Sequence, residues 1–314
     1  MISEDLLFTV FTPTYNREDT LPRVFNCLKK QTYRNFEWVI IDDGSTDGTA
    51  ELVKQWQQEG NDFPIVYQWQ PNQGKHIAYN AVAKLARGLL FTSIDSDDEV
   101  VPTLLERLKY HWDKFTPGEK NIVSGISFLG LNQHGVLVGT KYPRDYQIMD
   151  LMGMYYLNRV KGDKGAMLQT RAFKMYPFPE NIKNVVIGEG SFMYKMAKDW
   201  KMCFINEALA IFWIEGRLDS LSLRSTTSQN YAGAHYVHLC FLNYNMRFFT
   251  RRPKLCMGEA TRYAKLSFHL QINLKEQGKA VKPVLAKLLW FFFMPLGYIL
   301  FIIASAKKEY NHVR

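Results

Sequence analysis

Short apolar runs alternate with segments of helical periodicity through the first hundred residues of this chain. Three of these runs cover Leu6 to Phe11, Phe36 to Ile41 and Pro64 to Trp69, and a fourth follows Arg87. Between the runs, apolar residues recur at helical spacing, and a polar loop follows each predicted strand. This order predicts a doubly wound, mostly parallel α/β sheet whose ligand binds along the carboxyl ends of the strands.

The fourth apolar run, in the stretch RGLLFTSIDSDDE, ends in a dense group of carboxylates. Asp95, Asp97 and Asp98 fall where a strand of an open α/β sheet presents its ligand-binding end. Carboxylates this close repel one another unless a cation is shared among them, and hard oxygen ligands suit Mg²⁺ or Mn²⁺. We therefore interpret Asp95-Ser96-Asp97 as a D-x-D clamp that holds a metal on a nucleotide diphosphate. An acidic surface turn that caps the next helix is the alternative.

The pattern changes after residue 120. Short strands are predicted at 122–128 and 135–139, and a strand or extended chain at 205–214. From 229 onward the sequence is helical and basic. We therefore divide the chain into segments 1–120, 121–225 and 226–314. The net charge of +9 is uneven, because residues 241–314 carry 13 Lys and Arg against 3 Asp and Glu. Such a basic end predicts binding to an anionic surface, either a membrane or a nucleic acid.

Residues 288–306 form an uncharged stretch, LLWFFFMPLGYILFIIASA, with lysines on both flanks. A full membrane span needs roughly 20 apolar residues, and Pro295 and Gly297 interrupt this stretch at its middle. The sequence leaves open a kinked span, a re-entrant hairpin, an anchor lying flat on the membrane and a helix packed on the core. The four dispersed cysteines indicate a reducing compartment, and the opening MISEDLLFTVF lacks the pattern of a signal peptide.

Four motifs in the first hundred residues resemble glycosyltransferase family 2, the inverting nucleotide-sugar transferases with the GT-A fold. They are TPTYNRxxTL at 12–21, QTYxNFEWVIIDDGSTDGT at 31–49, NQGKHxAxN at 72–80 and DSDD at 95–98. Weaker similarity to bacterial surface-polysaccharide enzymes lies in KGDKG at 161–165, YPFPE at 176–180 and INEA at 205–208. The resemblance implies a GT-A domain, with 1–120 as its nucleotide-sugar-binding half and 121–225 as its acceptor-binding half, followed by the basic helical extension.

The resemblance also implies roles for side chains on the donor side. Asp43 matches the family's base-contacting Asp, although a carboxylate at this turn also fits an Asx turn that holds the following glycine and serine. Tyr15 would stack on the base beside a wall shaped by Pro13, or pack within its own loop. Lys75, at a helix start, would neutralise the diphosphate, or lie solvated at the surface.

The D-x-D of the family corresponds to Asp95 and Asp97 here. The resemblance implies that one carboxylate binds the sugar and ribose while another holds the metal. We assign the metal to Asp97 and Asp98. The implied cofactor is Mn²⁺ or Mg²⁺. It would act as a Lewis acid on the departing nucleoside diphosphate.

Glu189 stands at a predicted helix start, in the place where the family carries its catalytic carboxylate. It is the candidate for the general base that an inverting transfer requires. The family often has an Asp or a Glu-Asp pair there, whereas this chain reads Gly-Glu-Gly, and a Glu at a helix start also compensates the helix dipole. Asp163 is assigned to the acceptor side, with a turn residue as the alternative, and Arg217 to a loop that closes over phosphate. His235 and His238 are interpreted as packing residues.

Together these features predict a metal-dependent inverting glycosyltransferase of bacterial surface polysaccharide biosynthesis. It would move a sugar from a UDP-sugar to a hydroxyl of a glycan, carried on polyprenyl diphosphate at the cytoplasmic face of the inner membrane, without a nucleic-acid partner. A nucleotidyltransferase is disfavoured because the loop TPTYNRED contains no glycine. A scaffold protein for membranes or nucleic acids would explain the basic end, but not four polar loops at successive strand ends.

Overall fold

A computed structural model describes residues 6–214 and 230–312 of the chain. The chain forms two compact units. The first contains Met1–Asn184 with Asp199–Gly216, and the second contains Val185–Lys198 with Arg217–Arg314. Each unit buries its own apolar side chains, among them Trp38 in the first and Tyr263 in the second.

The first unit is built on a sheet whose N-terminal part is parallel. Strands β1, β2, β3 and β4 lie in the order β3-β2-β1-β4, and every neighbouring pair among them is parallel. Both β1 and β2 are buried along their whole length, which explains why both are rich in apolar residues. The predicted parallel α/β arrangement is therefore confirmed. These strands and the helices that connect them are β1 Phe8–Thr14, α1 Leu21–Lys29, β2 Phe36–Asp42, α2 Thr49–Gln58, β3 Ile65–Trp69, α3 Lys75–Leu85 and β4 Leu90–Ser93.

The same sheet continues with strands from the later part of the first unit, in the order β4-β8-β6-β9-β5, with β7 paired to β9. Strand β8 is antiparallel to both β4 and β6, so the direction of the sheet changes at β8. The strands and helices of this part are β5 Glu99–Val100, α4 Leu104–Asp113, α5 Pro117–Ile122, β6 Val123–Asn132, β7 Gln147–Met149, α6 Leu151–Tyr156, β8 Gly165–Gln169, α7 Thr170–Lys174 and β9 Lys201–Phe212.

The strand predicted at 135–139 is wrong. The Asn132 side chain accepts hydrogen bonds from the backbone N–H groups of His134 and Val136, which closes a turn. Gly135 and Gly139 have φ of 77° and 76°, in the left-handed region, which lies outside the φ range of a regular strand. Only one isolated bridge, between Leu131 and Leu137, survives in this part of the described chain.

The described part of the second unit is helical, which agrees with the predicted helical extension. Its helices are α8 Gly190–Asp199, α9 Tyr231–Tyr244, α10 Pro253–His269, α11 Leu274–Ala280 and α12 Val284–His312. Helix α12 runs without a break through Pro295, so the re-entrant hairpin does not form. Its residues 284–306 have a mean hydropathy of 2.1 and are largely exposed, which by length and composition alone would allow it to cross a membrane.

The two histidines of α9 lie in different surroundings. His235 stacks on Tyr263 and contacts the Ser267 hydroxyl through Nε2 at 3.0 Å. Burial lowers the pKa of His235 to about 4, which keeps it neutral and agrees with a packing role. His238 instead contacts Glu259 at 2.5 Å, an acidic partner that lies 21 residues away in the sequence and was not predicted.

Candidate active site

The polar segments predicted to bind the ligand meet at one edge of the first unit. Strands β2, β1 and β4 are adjacent and parallel, so the segments after Asp42, Thr14 and Ser93 leave the sheet on the same side. The loop after β1 is tied to the loop after β2, because Asn16 donates its backbone N–H to the Ser45 hydroxyl at 2.8 Å. This edge therefore brings the donor-side candidates of the sequence into one region.

Asp95, Asp97 and Asp98 each offer one carboxylate oxygen, and these oxygens lie within 4.8 Å of one another. Burial, followed by the charges of Asp95 and Asp97, raises the pKa of Asp98 to about 8, and burial and Asp95 raise that of Asp97. Three half-buried carboxylates at this separation are unfavourable as anions without a cation. The donor set, all carboxylate oxygen, fits Mg²⁺ or Mn²⁺, and the predicted grouping of the three residues is present.

Lys75 lies beside this acidic group rather than in open solvent. Its ammonium contacts both oxygens of Asp95, at 2.8 and 2.9 Å. Lys75 is the first residue of α3, and the preceding Gly74 has φ of 107°, a conformation that L side chains rarely adopt. The solvated-lysine alternative is therefore wrong. A role for Lys75 on the diphosphate stays a prediction.

Asp43 is buried and anchors the loop that delivers Lys75. One carboxylate oxygen accepts from the Gln70 side chain at 2.8 Å and from the Gln73 N–H at 3.0 Å, and the other accepts from the Gly74 N–H at 2.8 Å. The turn-holding bond considered for Asp43 is made by Asp42 instead, which accepts from the Ser45 N–H at 2.7 Å. A base contact by Asp43 stays a prediction.

Pro13 and Tyr15 lie on either side of the end of β1. Pro13 belongs to the strand, where it is buried and opposite Ile41, so β1 extends beyond the predicted run that ends at Phe11. Because its ring has no N–H, it is tolerated where the neighbouring strand does not need that donor. Tyr15 follows the strand and is 37% exposed. Its exposed ring is compatible with the predicted stacking on a base.

Two residues that the sequence did not indicate hold the acidic segment in place. The Arg23 guanidinium donates to the Asp97 carbonyl at 2.6 Å and lies 3.5 Å from the Glu99 carboxylate. The carbon of the Arg23 guanidinium lies 3.7 Å from the centre of the Trp213 ring. The backbone N–H of Trp213 donates to the Asp98 carboxylate at 2.9 Å. These contacts join residues 74 and 115 positions apart, so no local pattern signals them.

The NQGKHxAxN motif also holds the segment that follows α7. Asn80 makes two hydrogen bonds with the backbone of Phe178, one to its carbonyl at 3.0 Å and one from its N–H at 2.9 Å. His76 contacts the carbonyl of Ile182 through Nε2 at 2.7 Å, and its ring is buried. Burial lowers the pKa of His76, so the neutral ring donates this bond. The motif therefore has a structural function besides its presentation of Lys75.

The acceptor-side candidates lie in separate parts of the chain. Glu189 belongs to the second unit and directly precedes α8, and its carbonyl accepts from the Met193 N–H at 3.2 Å. Asp163 belongs to the first unit and is exposed in a loop whose neighbour Lys164 donates to the carbonyls of Val138 and Lys161, both at 2.9 Å. Arg217 lies outside the described residues. The roles predicted for these three residues stay predictions.

The raised pKa of Asp98 predicts a pH-dependent response to metal. Because folding raises the pKa of Asp98, the protonated carboxyl adds to the free energy of unfolding. This contribution is fully present below about pH 4 and is lost as the pH rises to about 8. Mn²⁺ competes with that proton. We therefore expect Mn²⁺ to raise the melting temperature more at about pH 7.5 than at about pH 6. Equal shifts at both values, or a pH dependence unchanged in Asp98→Asn, would contradict the assignment.

Comparison with known proteins identifies the N-terminal region. Residues 9–125 match the family model described as glycosyl transferase family 2. The chain is 23% identical over 305 residues to glycosyltransferase GlyA of Streptococcus pneumoniae, covering 88% of this chain and 42% of GlyA. It is 32% identical over 101 residues to TuaG of Bacillus subtilis, a glycosyltransferase named for teichuronic acid biosynthesis, covering 32% of this chain and 40% of TuaG. The chain therefore spans less than half the length of either relative.

Solved structures share the fold over most of the chain. TarS 1–349 of S. aureus, in complex with UDP-GlcNAc, has a TM-score of 0.63 at 18% identity and covers 96% of this chain and 92% of that one. The mannosyltransferase PcManGT of Pyrobaculum calidifontis, in complex with GDP-Man and Mn²⁺, has a TM-score of 0.53 at 17% identity and covers 96% of this chain and 86% of that one. These likenesses show that the chain shares the GT-A fold of the solved structures. Within that fold, residues 9–125 are the part that matches glycosyl transferase family 2.

Proposed function

We propose that this protein is a metal-dependent, inverting glycosyltransferase that moves a sugar from a UDP-sugar to a hydroxyl of a glycan. The observation that carries the proposal is the grouping of Asp95, Asp97 and Asp98 at the carboxyl end of β4, with Lys75 against the first of them. Such a site combines hard oxygen ligands for a divalent cation with a cation for phosphate. Both can offset the negative charge of a leaving nucleoside diphosphate.

Each donor-side residue has a distinct task in this proposal. Asp97 and Asp98 hold Mn²⁺ or Mg²⁺, which when bound offsets the negative charge of the leaving diphosphate. Lys75 exchanges its contact with Asp95 for a phosphate oxygen, and this releases Asp95 to accept hydrogen bonds from the sugar or ribose. Asp43 and Tyr15 receive the base, the first through its remaining acceptor capacity and the second by stacking.

Glu189 is the general base of the proposed reaction. In an inverting transfer, the acceptor hydroxyl attacks the anomeric carbon from the face opposite the leaving group, and a carboxylate takes the hydroxyl proton. Asp163, which is exposed, and Arg217 are assigned to the acceptor side in this proposal. In this proposal the product has the opposite anomeric configuration to the donor.

The acceptor proposed is a glycan linked to polyprenyl diphosphate, used for a bacterial surface polysaccharide at the cytoplasmic face of the inner membrane. The name of TuaG supports a surface polymer, and the exposed apolar helix α12 supports work at a membrane. TarS with UDP-GlcNAc and PcManGT with GDP-Man and Mn²⁺ indicate which donors to compare first.

A donor hydrolysis screen tests the proposal without knowledge of the acceptor. We expect the full chain with Mn²⁺ to release UDP slowly from one or more UDP-sugars, and a chelator to abolish the release. If only GDP-sugars were hydrolysed, the donor would be a GDP-sugar and not a UDP-sugar. Absence of hydrolysis together with absence of metal-dependent UDP binding would contradict the transferase. DNA binding with a steep salt dependence in its place would favour the scaffold alternative.

A further inference from the structure

One face of helix α12 packs tightly within the second unit. A Cβ added at Gly297 would lie 2.7 Å from the Ala264 Cβ and 2.9 Å from the Thr261 carbonyl, so the backbones of α10 and α12 are nearly in contact there. Near the start of α12, the Trp290 indole N–H donates to the Gln277 side chain at 3.1 Å. Farther along, the ring of Phe301 lies 6.1 Å from that of Phe268. The helix therefore has a fixed orientation against α10 and α11.

The opposite face of α12 is apolar and exposed. Its residues recur at helical spacing and form a continuous stripe, which we call the lipid stripe. Phe292 is 70% exposed and Ile299 is 52% exposed. At 1.5 Å per residue, the stripe is about 22 Å long. Its members are Leu288, Phe292, Leu296, Ile299 and Ile303.

The partner helix α10 argues against a membrane-spanning α12. Arg262 of α10 lies between Thr261 and Lys265, the two residues whose backbones contact Gly297. The Arg262 guanidinium is exposed and pairs with Glu259 at 2.7 Å. Gly297 is close to the midpoint of the apolar segment 284–306, so a span would place this ion pair at the depth of the hydrocarbon centre. Charged side chains facing lipid at that depth are strongly unfavourable.

The charge of the same unit identifies the occupant of the stripe. Lys282 and Lys287 are exposed at the beginning of α12, and residues 241–314 carry 13 Lys and Arg against 3 Asp and Glu. A second copy of the chain would bring two such basic regions together, which is repulsive. Anionic lipid headgroups complement the charge, and acyl chains complement the stripe.

We propose that α12 lies in the plane of an anionic membrane surface, with the lipid stripe buried among the acyl chains and α10 on the water side. This inference extends the proposed function, since it states how the enzyme would reach a lipid-linked acceptor. It requires neither a donor nor an acceptor to be tested. Failure of the donor screen would therefore leave it standing, and failure of membrane docking would leave sugar transfer to a soluble acceptor standing.

Vesicle flotation of the full chain tests the docking. We expect binding to vesicles that contain phosphatidylglycerol, weaker binding to vesicles of phosphatidylcholine alone, and a loss of about ten-fold for Phe292→Glu. Gln271→Glu adds the same charge at an exposed position outside the stripe and should bind within about two-fold of the natural chain. Equal binding by Phe292→Glu, or a stable dimer that persists when vesicles are absent and is lost in Phe292→Glu, would overturn the proposal.

Depth measurements separate the in-plane arrangement from a span. A fluorophore is attached to a single cysteine placed at Leu288, Leu296 or Ile303, and its depth is read by quenchers positioned along the lipid chain. The four natural cysteines are buried, which limits background labelling. The in-plane arrangement predicts equal shallow depths at all three positions. A deep value at Leu296 with shallow values at both ends would show a span and overturn the proposal.

Discussion

Replacement of Asp97 by Asn is expected to lower donor-dependent transfer by about 100-fold to 1,000-fold. The change keeps the size of the side chain and removes one of the three carboxylates whose oxygens lie within 4.8 Å. Mn²⁺ binding, followed by electron paramagnetic resonance of the free ion, should weaken in parallel. The combined readout shows whether the loss of activity arises at the metal.

A loss of activity caused by unfolding of Asp97→Asn can be distinguished from a loss caused by weaker metal binding. Unfolding would lower the melting temperature of the metal-free variant, and loss of the metal ligand would not. Burial and the charge of Asp95 raise the pKa of Asp97, so the ionised Asp97 carboxylate destabilises the metal-free protein. The metal-free Asn variant should therefore melt at the same temperature as the natural chain or above it. Asp62→Asn is the matched control, since the Asp62 side chain is 77% exposed and its carboxylate comes no closer than 4.0 Å to the Arg34 guanidinium. A fully active Asp97→Asn enzyme would refute the proposed site.

The parallel half of the fold could be predicted largely because its central strands β1 and β2 are buried along their whole length. Their apolar residues, among them Val39, Ile40 and Ile41, form runs that are visible in the sequence. Strand β8, which reads Gly-Ala-Met-Leu-Gln, has no such run. Its place between β4 and β6 is determined by pairing with strands distant in the chain. A local pattern contains no information on that pairing.

Likewise, the sequence indicated the residues of the site but not the contacts that hold them in position. Three carboxylates within four positions indicate a cation site from composition alone. The contacts that fix them do not, because Arg23 and Trp213 approach from α1 and from the end of β9. The same reason explains why the sequence offered Asp43, and not Asp42, as the alternative holder of the turn after β2. Asp42 and Asp43 are neighbours in the sequence, and only the fold determines that Asp42 holds Ser45 while Asp43 holds the loop before Lys75.

Glu189→Gln is expected to lower kcat by about 1,000-fold with little change in the KM for the donor. A general base acts on the acceptor hydroxyl in the transition state, so its loss leaves binding of the nucleotide sugar intact. Steady-state kinetics of the natural chain and of the variant, with the donor varied, measure both constants.

The alternative role of Glu189, compensation of the dipole of α8, makes a different prediction that a matched variant isolates. Glu276 is an exposed acidic residue in the first turn of α11, so Glu276→Gln removes the same dipole interaction where no catalysis is proposed. If Glu189 only stabilises its helix, both variants lose a similar small amount of stability and keep their kcat. If Glu189 is the base, both lose that small amount of stability and only Glu189→Gln loses kcat. Equal kcat values in the two variants would therefore remove Glu189 from the mechanism and leave the metal site unaffected.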